Sequence, residues 1–480
     1  MYSSLRNAFL FSFFILAATA SFSLPKGFAT KCPTYIDTVV PLGQDDRYGR
    51  REPGDPFLAT MRDVHNTLSD CDSIKSLKLR VASIGCSEHP DRWNFPLDLA
   101  SGSKYPSKLE SLDLEGYHFG DRLWEELQQP PYRTNSRFWD TMEWMGSGRA
   151  WKWARYLPLS AEQKAKTNLE LWLDAMDFGH IKEFALRPTR GHHPDVARLV
   201  PHLTSLRSLK VYGAWAQELI VGVPENSLTH LSWIFSGVTG ASVLPILRHH
   251  AQSLKSLEWR EAESGIRQRR VMTAEEISEL GRMAPNLEKI TLDINRNGTW
   301  PMEHFDALVT EFPKVTNVTI FLEIASECRR QLGVSKEGMG PYEQWKMDQA
   351  SPDCSGGMGA MEQPLLTRSH AAELFEHLRE KKVGDALRKV VFYAGDWERP
   401  WDGALAEGEW LDGRKAFFVC EAVDDGESRD GPGSNVVQCL GMNTHVATRG
   451  RWSGYDEEDG PLDNPEWRTD LAQRAIRMEL

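Results

Sequence analysis

A six-residue pattern recurs nine times along this chain of 480 residues, and it limits the possible folds more than any other feature. Each copy is an aliphatic residue, two polar residues, an apolar residue, one more residue and a second apolar one. The copies run from Ile74 to Leu79, Leu109 to Leu114, Ile181 to Leu186, Leu206 to Val211, Leu228 to Trp233, Leu254 to Trp259, Leu287 to Leu292, Val315 to Ile320, and Leu387 to Phe392. The last two apolar positions alternate with a polar one, the period of a strand with one buried face. The first apolar residue then falls in the turn that leads into the strand. Copies lie about 22 to 35 residues apart, apart from two gaps of about 72, so a repeated unit with irregular insertions is expected.

Between strands the apolar period becomes helical. Thr273-Ala274-Glu275-Glu276 is a capping-box pattern, in which the Thr hydroxyl and the Glu carboxylate satisfy free amides of a first turn. Ile277, Leu280 and Met283 follow at helical spacing until Pro285. Similar patterns occupy 241–247 and 302–309. A helix-turn-strand unit cannot bury its apolar face alone, so neighbouring units must stack. The predicted fold is α/β, an irregular leucine-rich-repeat-like solenoid with parallel strands on its concave side and helices on its convex side.

The segment from Arg282 to Leu292, with Pro285-Asn286-Leu287 followed by Ile290 and Leu292, resembles the repeat units of fungal F-box and leucine-rich-repeat-like proteins over residues 55–395. That resemblance implies repeats that bind a protein substrate and an amino-terminal F-box that docks a ubiquitin-ligase scaffold. The sequence departs from it where the F-box would stand. A hydrophobic leader occupies that place, and Cys32 to Arg51 does not read as an F-box.

The leader has the pattern of a secretory signal peptide over residues 1–20. Arg6 precedes an apolar run from Ala8 to Ala18, and Ala18-Thr19-Ala20 offers small residues for cleavage. The run is shorter than the roughly 20 residues that span a bilayer, so no membrane anchoring is expected after cleavage. Export predicts an oxidising destination, in which Cys32, Cys71, Cys86, Cys328, Cys354, Cys420 and Cys439 supply up to three disulfides and one free thiol. The pairs nearest in sequence are Cys71 with Cys86, Cys328 with Cys354, and Cys420 with Cys439. Asn297-Gly298-Thr299 and Asn317-Val318-Thr319 are acceptor tripeptides for N-glycosylation.

The remaining organisation follows from where the pattern fails. Residues 21–54 form an N-terminal extension, insertions are expected near 118–180 and 325–365, and 396–480 form a C-terminal cap and tail. Within that tail, Ala416 to Cys420 reads as a strand. The 17 Trp residues concentrate partly in the first insertion and the cap. A net charge of -12 with no long basic run argues against nucleic acid as a partner.

No residues are singled out for catalysis, cofactor binding or metal binding. The His192-His193 and His249-His250 pairs point apart on any regular element, and the acidic runs at 424–425 and 456–459 lack the spacing of a calcium loop. The sequence therefore predicts a secreted, non-enzymatic module that binds a protein partner. Two alternatives stand beside it. One is a secreted carbohydrate-active enzyme using acidic residues near tryptophans, such as Asp140, Glu143, Asp396 and Glu398. The other is an intracellular ubiquitin-ligase adaptor, should the leader be unused. Lys75, Lys78, Glu110, Asp113, Arg207, Lys210, Lys255, Glu258, Lys289 and Asp293 are expected on the wet side of the strands.

Overall fold

A computed structural model describes residues 32–40, 61–81, 104–116, 119, 165–187, 194–261, 269–324, 363–395, 415–424 and 435–443. Twelve strands form one sheet whose spatial order follows chain order. β1 (Tyr35–Val40), β2 (Ser76–Val81), β3 (Ser111–Glu115), β4 (Glu183–Arg187), β5 (Ser208–Tyr212), β6 (His230–Ile234), β7 (Ser256–Arg260), β8 (Lys289–Ile294), β9 (Asn317–Leu322) and β10 (Lys389–Ala394) pair in parallel. β11 (Ala416–Asp424) and β12 (Asn435–Asn443) turn back and add to β10 as an antiparallel hairpin.

The described helices are α1 (Met61–Asp70), α2 (Asn168–Ala175), α3 (Val196–Leu199), α4 (Ala216–Gly222), α5 (Gly240–Arg248), α6 (Ala274–Met283), α7 (Met302–Thr310) and α8 (Arg368–Lys381). The molecule is thus a mixed α/β protein with a mostly parallel sheet. None of these helices is long and apolar enough to cross a membrane.

The strands form where the recurring pattern places them. In all nine copies the strand begins two residues after the first aliphatic residue, which is itself buried, from Ile74 before β2 to Leu387 before β10. Register then aligns the apolar positions into continuous rows. Ile36, Leu77, Leu112, Phe184, Leu209, Leu231, Leu257, Ile290, Val318 and Val390 form one row, which ends in Cys420 and Cys439. A second row passes through Trp233, Trp259, Leu292 and Ile320. Both rows pack on helical residues such as Leu219, Val243, Leu280, Leu308 and Phe375 in a single core. Each buried aliphatic side chain contributes about 1.5–3 kcal/mol, so the rows are the main cohesive term.

Helix starts follow local chemistry. Thr273 and Glu276 close the expected capping box on α6, and Thr167 with Glu170 makes a second one on α2. α2 lies inside the first wide gap and delivers the chain to β4 through a short 3-10 turn at Phe178–His180. Gly384, after α8, has φ +88, and a Cβ there would meet the Pro313 carbonyl oxygen, so the return to β10 requires glycine.

Two strands and one disulfide differ from the sequence reading or lie beyond it. β1 lies inside the expected extension, and β12 lies past the last repeat. Cys71 is bonded to Cys32, not to Cys86, because parallel pairing of β1 with β2 brings the approaches to both strands side by side. Cys420 and Cys439 are bonded as expected, facing each other across the hairpin. Cys86, Cys328 and Cys354 lie outside the described residues.

Candidate functional site

The face of the sheet opposite the helix-lined core changes character along its length. Over β1 to β5 it is charged by column. β2 and its approach carry Lys75, Lys78 and Arg80, β3 and its approach carry Glu110, Asp113 and Glu115, and Lys182 and Arg187 flank them on β4. Glu110 sits between Lys75 at 3.3 Å and Lys182 at 2.7 Å. Glu115 likewise bridges Arg80 at 2.7 Å and Arg187 at 3.3 Å, while Asp37 on β1 reaches Lys78 at 3.5 Å. The carboxylates of β3 are half-buried and the cations of β2 are exposed, so solvent meets positive charge first. Lys210 on β5 and Arg207 before it extend the exposed positive surface.

Two neighbouring carboxylates in the β3 column titrate in opposite directions. Hydrogen bonds from Lys182 and Lys75 hold Glu110 below the usual carboxylate range. Burial raises Asp113, against the weaker pull of Lys78 and Lys210.

Toward the carboxyl ends of β7 to β10 and the start of β11 the same face becomes more buried and aromatic. Phe321, Tyr393 and Phe417 occupy one row across β9, β10 and β11. Phe321 stacks on Tyr393 with ring centroids 4.4 Å apart, and Tyr393 meets Phe417 at 5.1 Å. The Arg260 guanidinium lies 3.3 Å from the Phe321 centroid, and Val391 completes this second cluster.

A buried charge network adjoins the cluster at the carboxyl ends of the strands. Asp293 accepts from Arg269 Nη1 at 2.9 Å, and Arg269 also donates to Asn295 and to the carbonyls of Ile294 and Phe321. Arg296 donates to the carbonyls of Glu323 and Pro364. Asp293 was expected on the wet side of its strand, yet its side chain is 0% exposed. The arginine partner arrives from the loop before α6, and the pair is stable in the interior because each charge is matched.

This network holds loops to strand ends. Ser236 donates to Glu261, whose carboxyl burial raises against the Ser236 and Gly237 hydrogen bonds. Ser236 is itself fully buried and accepts from Trp259 Nε1 at 3.0 Å, so its oxygen is enclosed. Of the residues considered as histidine pairs, His249 and His250 bond to the carbonyls of Val223 and Ile220. Among the described residues no three His, Cys, Asp or Glu side chains gather where they could hold a metal ion.

The structure places Lys75, Lys78, Glu110, Asp113, Lys210 and Glu258 on one face, as their alternation suggests. Asp140, Glu143, Asp396, Glu398 and the tryptophans beside them lie outside the described residues. Arg269 and Arg296 escaped the sequence reading because their partners lie 24 to 68 residues away, and Arg260 because the ring it covers, Phe321, lies two strands on. The one local sign was a charged residue, Arg260 or Asp293, set directly against the apolar end of a strand. No protein-family model matches the chain, and no curated protein is significantly similar to it.

Proposed function

We propose that this chain is an extracellular, non-enzymatic recognition protein, an irregular leucine-rich-repeat-like solenoid that holds a protein partner against the β2 to β5 region of its second sheet face. The observation that carries this reading is the contrast between the chain's net charge of -12 and the exposed cations of that face, Lys75, Lys78, Arg80, Lys182, Arg207 and Lys210. Exposed cations set in register on adjacent strands suit a broad partner surface, and they steer an acidic one toward it. Two disulfides and the leader support the secretory route.

A site-specific photo-crosslinker tests the docking face. Placed at Lys210, it captures a defined partner from the secreted fraction; placed at the exposed Glu218 of α4, on the helix side, it does not. Reversing Lys78 and Arg80 to glutamate abolishes capture from Lys210. Equal capture from both positions, or capture that survives the reversal, excludes the β2 to β5 region as the docking surface.

A further inference from the structure

We infer that Asn297 is the site of N-linked glycosylation and that Asn317, although it sits in an equally good tripeptide, stays bare. The assignment rests on the proposed secretory route and separates two motifs that the sequence cannot rank.

Asn297, Gly298 and Thr299 are all exposed, in the loop between β8 and α7. The residues around them are fixed. Arg296 is tied to Glu323 and Pro364, and Gln363 bonds both the Arg296 carbonyl and the Gly298 amide, each at 2.9 Å. Gly298 has φ +72 with open space around it, a tight turn that leaves the Asn amide and the Thr hydroxyl free to be engaged together.

Asn317 is placed quite differently. It opens β9, a strand paired on both sides, and its register partners are Lys289 on β8 and Lys389 on β10. Asn317 and Thr319 are both half-buried on the second face, with neighbouring strands about 4.8 Å away on each side. A glycan there would have to leave from between two paired strands, and its first sugar would have to displace the flanking lysine side chains. At Asn297 it projects past the strand ends, clear of the β2 to β5 surface.

The reaction needs a lipid-pyrophosphate-linked oligosaccharide as co-substrate. The Asn297 Nδ2 attacks the anomeric carbon, a C–N bond forms as the C–O bond to pyrophosphate breaks, the lipid pyrophosphate leaves, and the amide gives up one proton. Thr299 is the hydroxyl residue that the acceptor motif requires.

The full chain, expressed in a secreting eukaryotic host, is mapped by peptide mass spectrometry after enzymatic glycan release in 18O-labelled water. The expected result is an isotopically marked Asp at position 297, an unmarked Asn317, loss of the glycan in Thr299→Ala and an unchanged glycan mass in Thr319→Ala. A secreted, disulfide-bonded protein that is bare at Asn297, or marked at Asn317, overturns the assignment while leaving the secretory route standing. A chain kept in the cytosol with free thiols and neither site modified overturns both.

Discussion

The β1 to β5 and β8 to β11 portions share one ladder, one register and one helix-lined core, yet their second faces have opposite chemistry. The first is a set of charge columns, Lys75-Lys78-Arg80 beside Glu110-Asp113-Glu115, wet and only partly shielded. The second is the Phe321, Tyr393 and Phe417 row with a buried Arg269-Asp293 pair at its end. An ion pair in water is worth about 0–1 kcal/mol, whereas truncating a buried aromatic, or removing one partner of a buried ion pair and so stranding the other charge, costs about 3–5 kcal/mol. Stability should therefore be concentrated toward β8 to β11, leaving β1 to β5 free to vary in charge at small cost.

The largest test of this contrast is Phe321→Ala. It should destabilise the protein by about 3–5 kcal/mol in urea unfolding, against under about 1 kcal/mol for Lys78→Ala. Equal losses would break the comparison. Asp293→Ala should cost about 3–5 kcal/mol as well, because it leaves Arg269 charged and buried; the milder Asp293→Asn keeps an acceptor and should lose less.

Replacing both Cys420 and Cys439 with alanine should cost about 3 kcal/mol by loss of a 19-residue closure, read as a lower melting midpoint under non-reducing conditions only. Glu115→Gln should cost less than about 1 kcal/mol, and the difference should fade as salt is raised, since both of its arginine partners are partly exposed.

The smallest effect concerns pH. Glu110 titrates below its unfolded value, so its contribution is present at neutral pH and disappears as pH falls through the folded value. Asp113 titrates above its unfolded value, so folding is favoured while it is protonated and that advantage is lost as pH rises through the folded value. Glu110→Gln should flatten the acid-induced loss of stability and Asp113→Asn should steepen it, measured by urea midpoints across an acid series. Shifts of the same sign would show that the column titrates as one unit.

The helix-lined face was legible in the sequence and the second face was legible only in part. Leu-x-x-Leu-x-Leu spacing located nine strands, because burial of alternate residues on a shared core leaves a local signature. β1 escaped because its only match to the pattern is the short run Tyr35-Ile36-Asp37-Thr38, and the turn residue that announces other strands is replaced by the Cys32 approach. Cys71 was paired with Cys86 on nearness in sequence, whereas its true neighbour is set by the parallel β1–β2 pairing. The charge columns could be listed residue by residue, but their division by sign into adjacent strands needs the register. Asp293 looked like any other outward carboxylate, because the arginine that accompanies it indoors lies on another loop.

Strand order that follows chain order has a mechanical consequence. A sheet built this way comes apart like a zipper, from its two outermost strands, since an interior strand is held by a ladder on each side. Among the described residues both covalent stitches sit at those outermost positions, Cys32 to Cys71 beside β1 and Cys420 to Cys439 between β11 and β12. Each acts as an end stop, so that reduction is what converts a closed zipper into one that can be peeled.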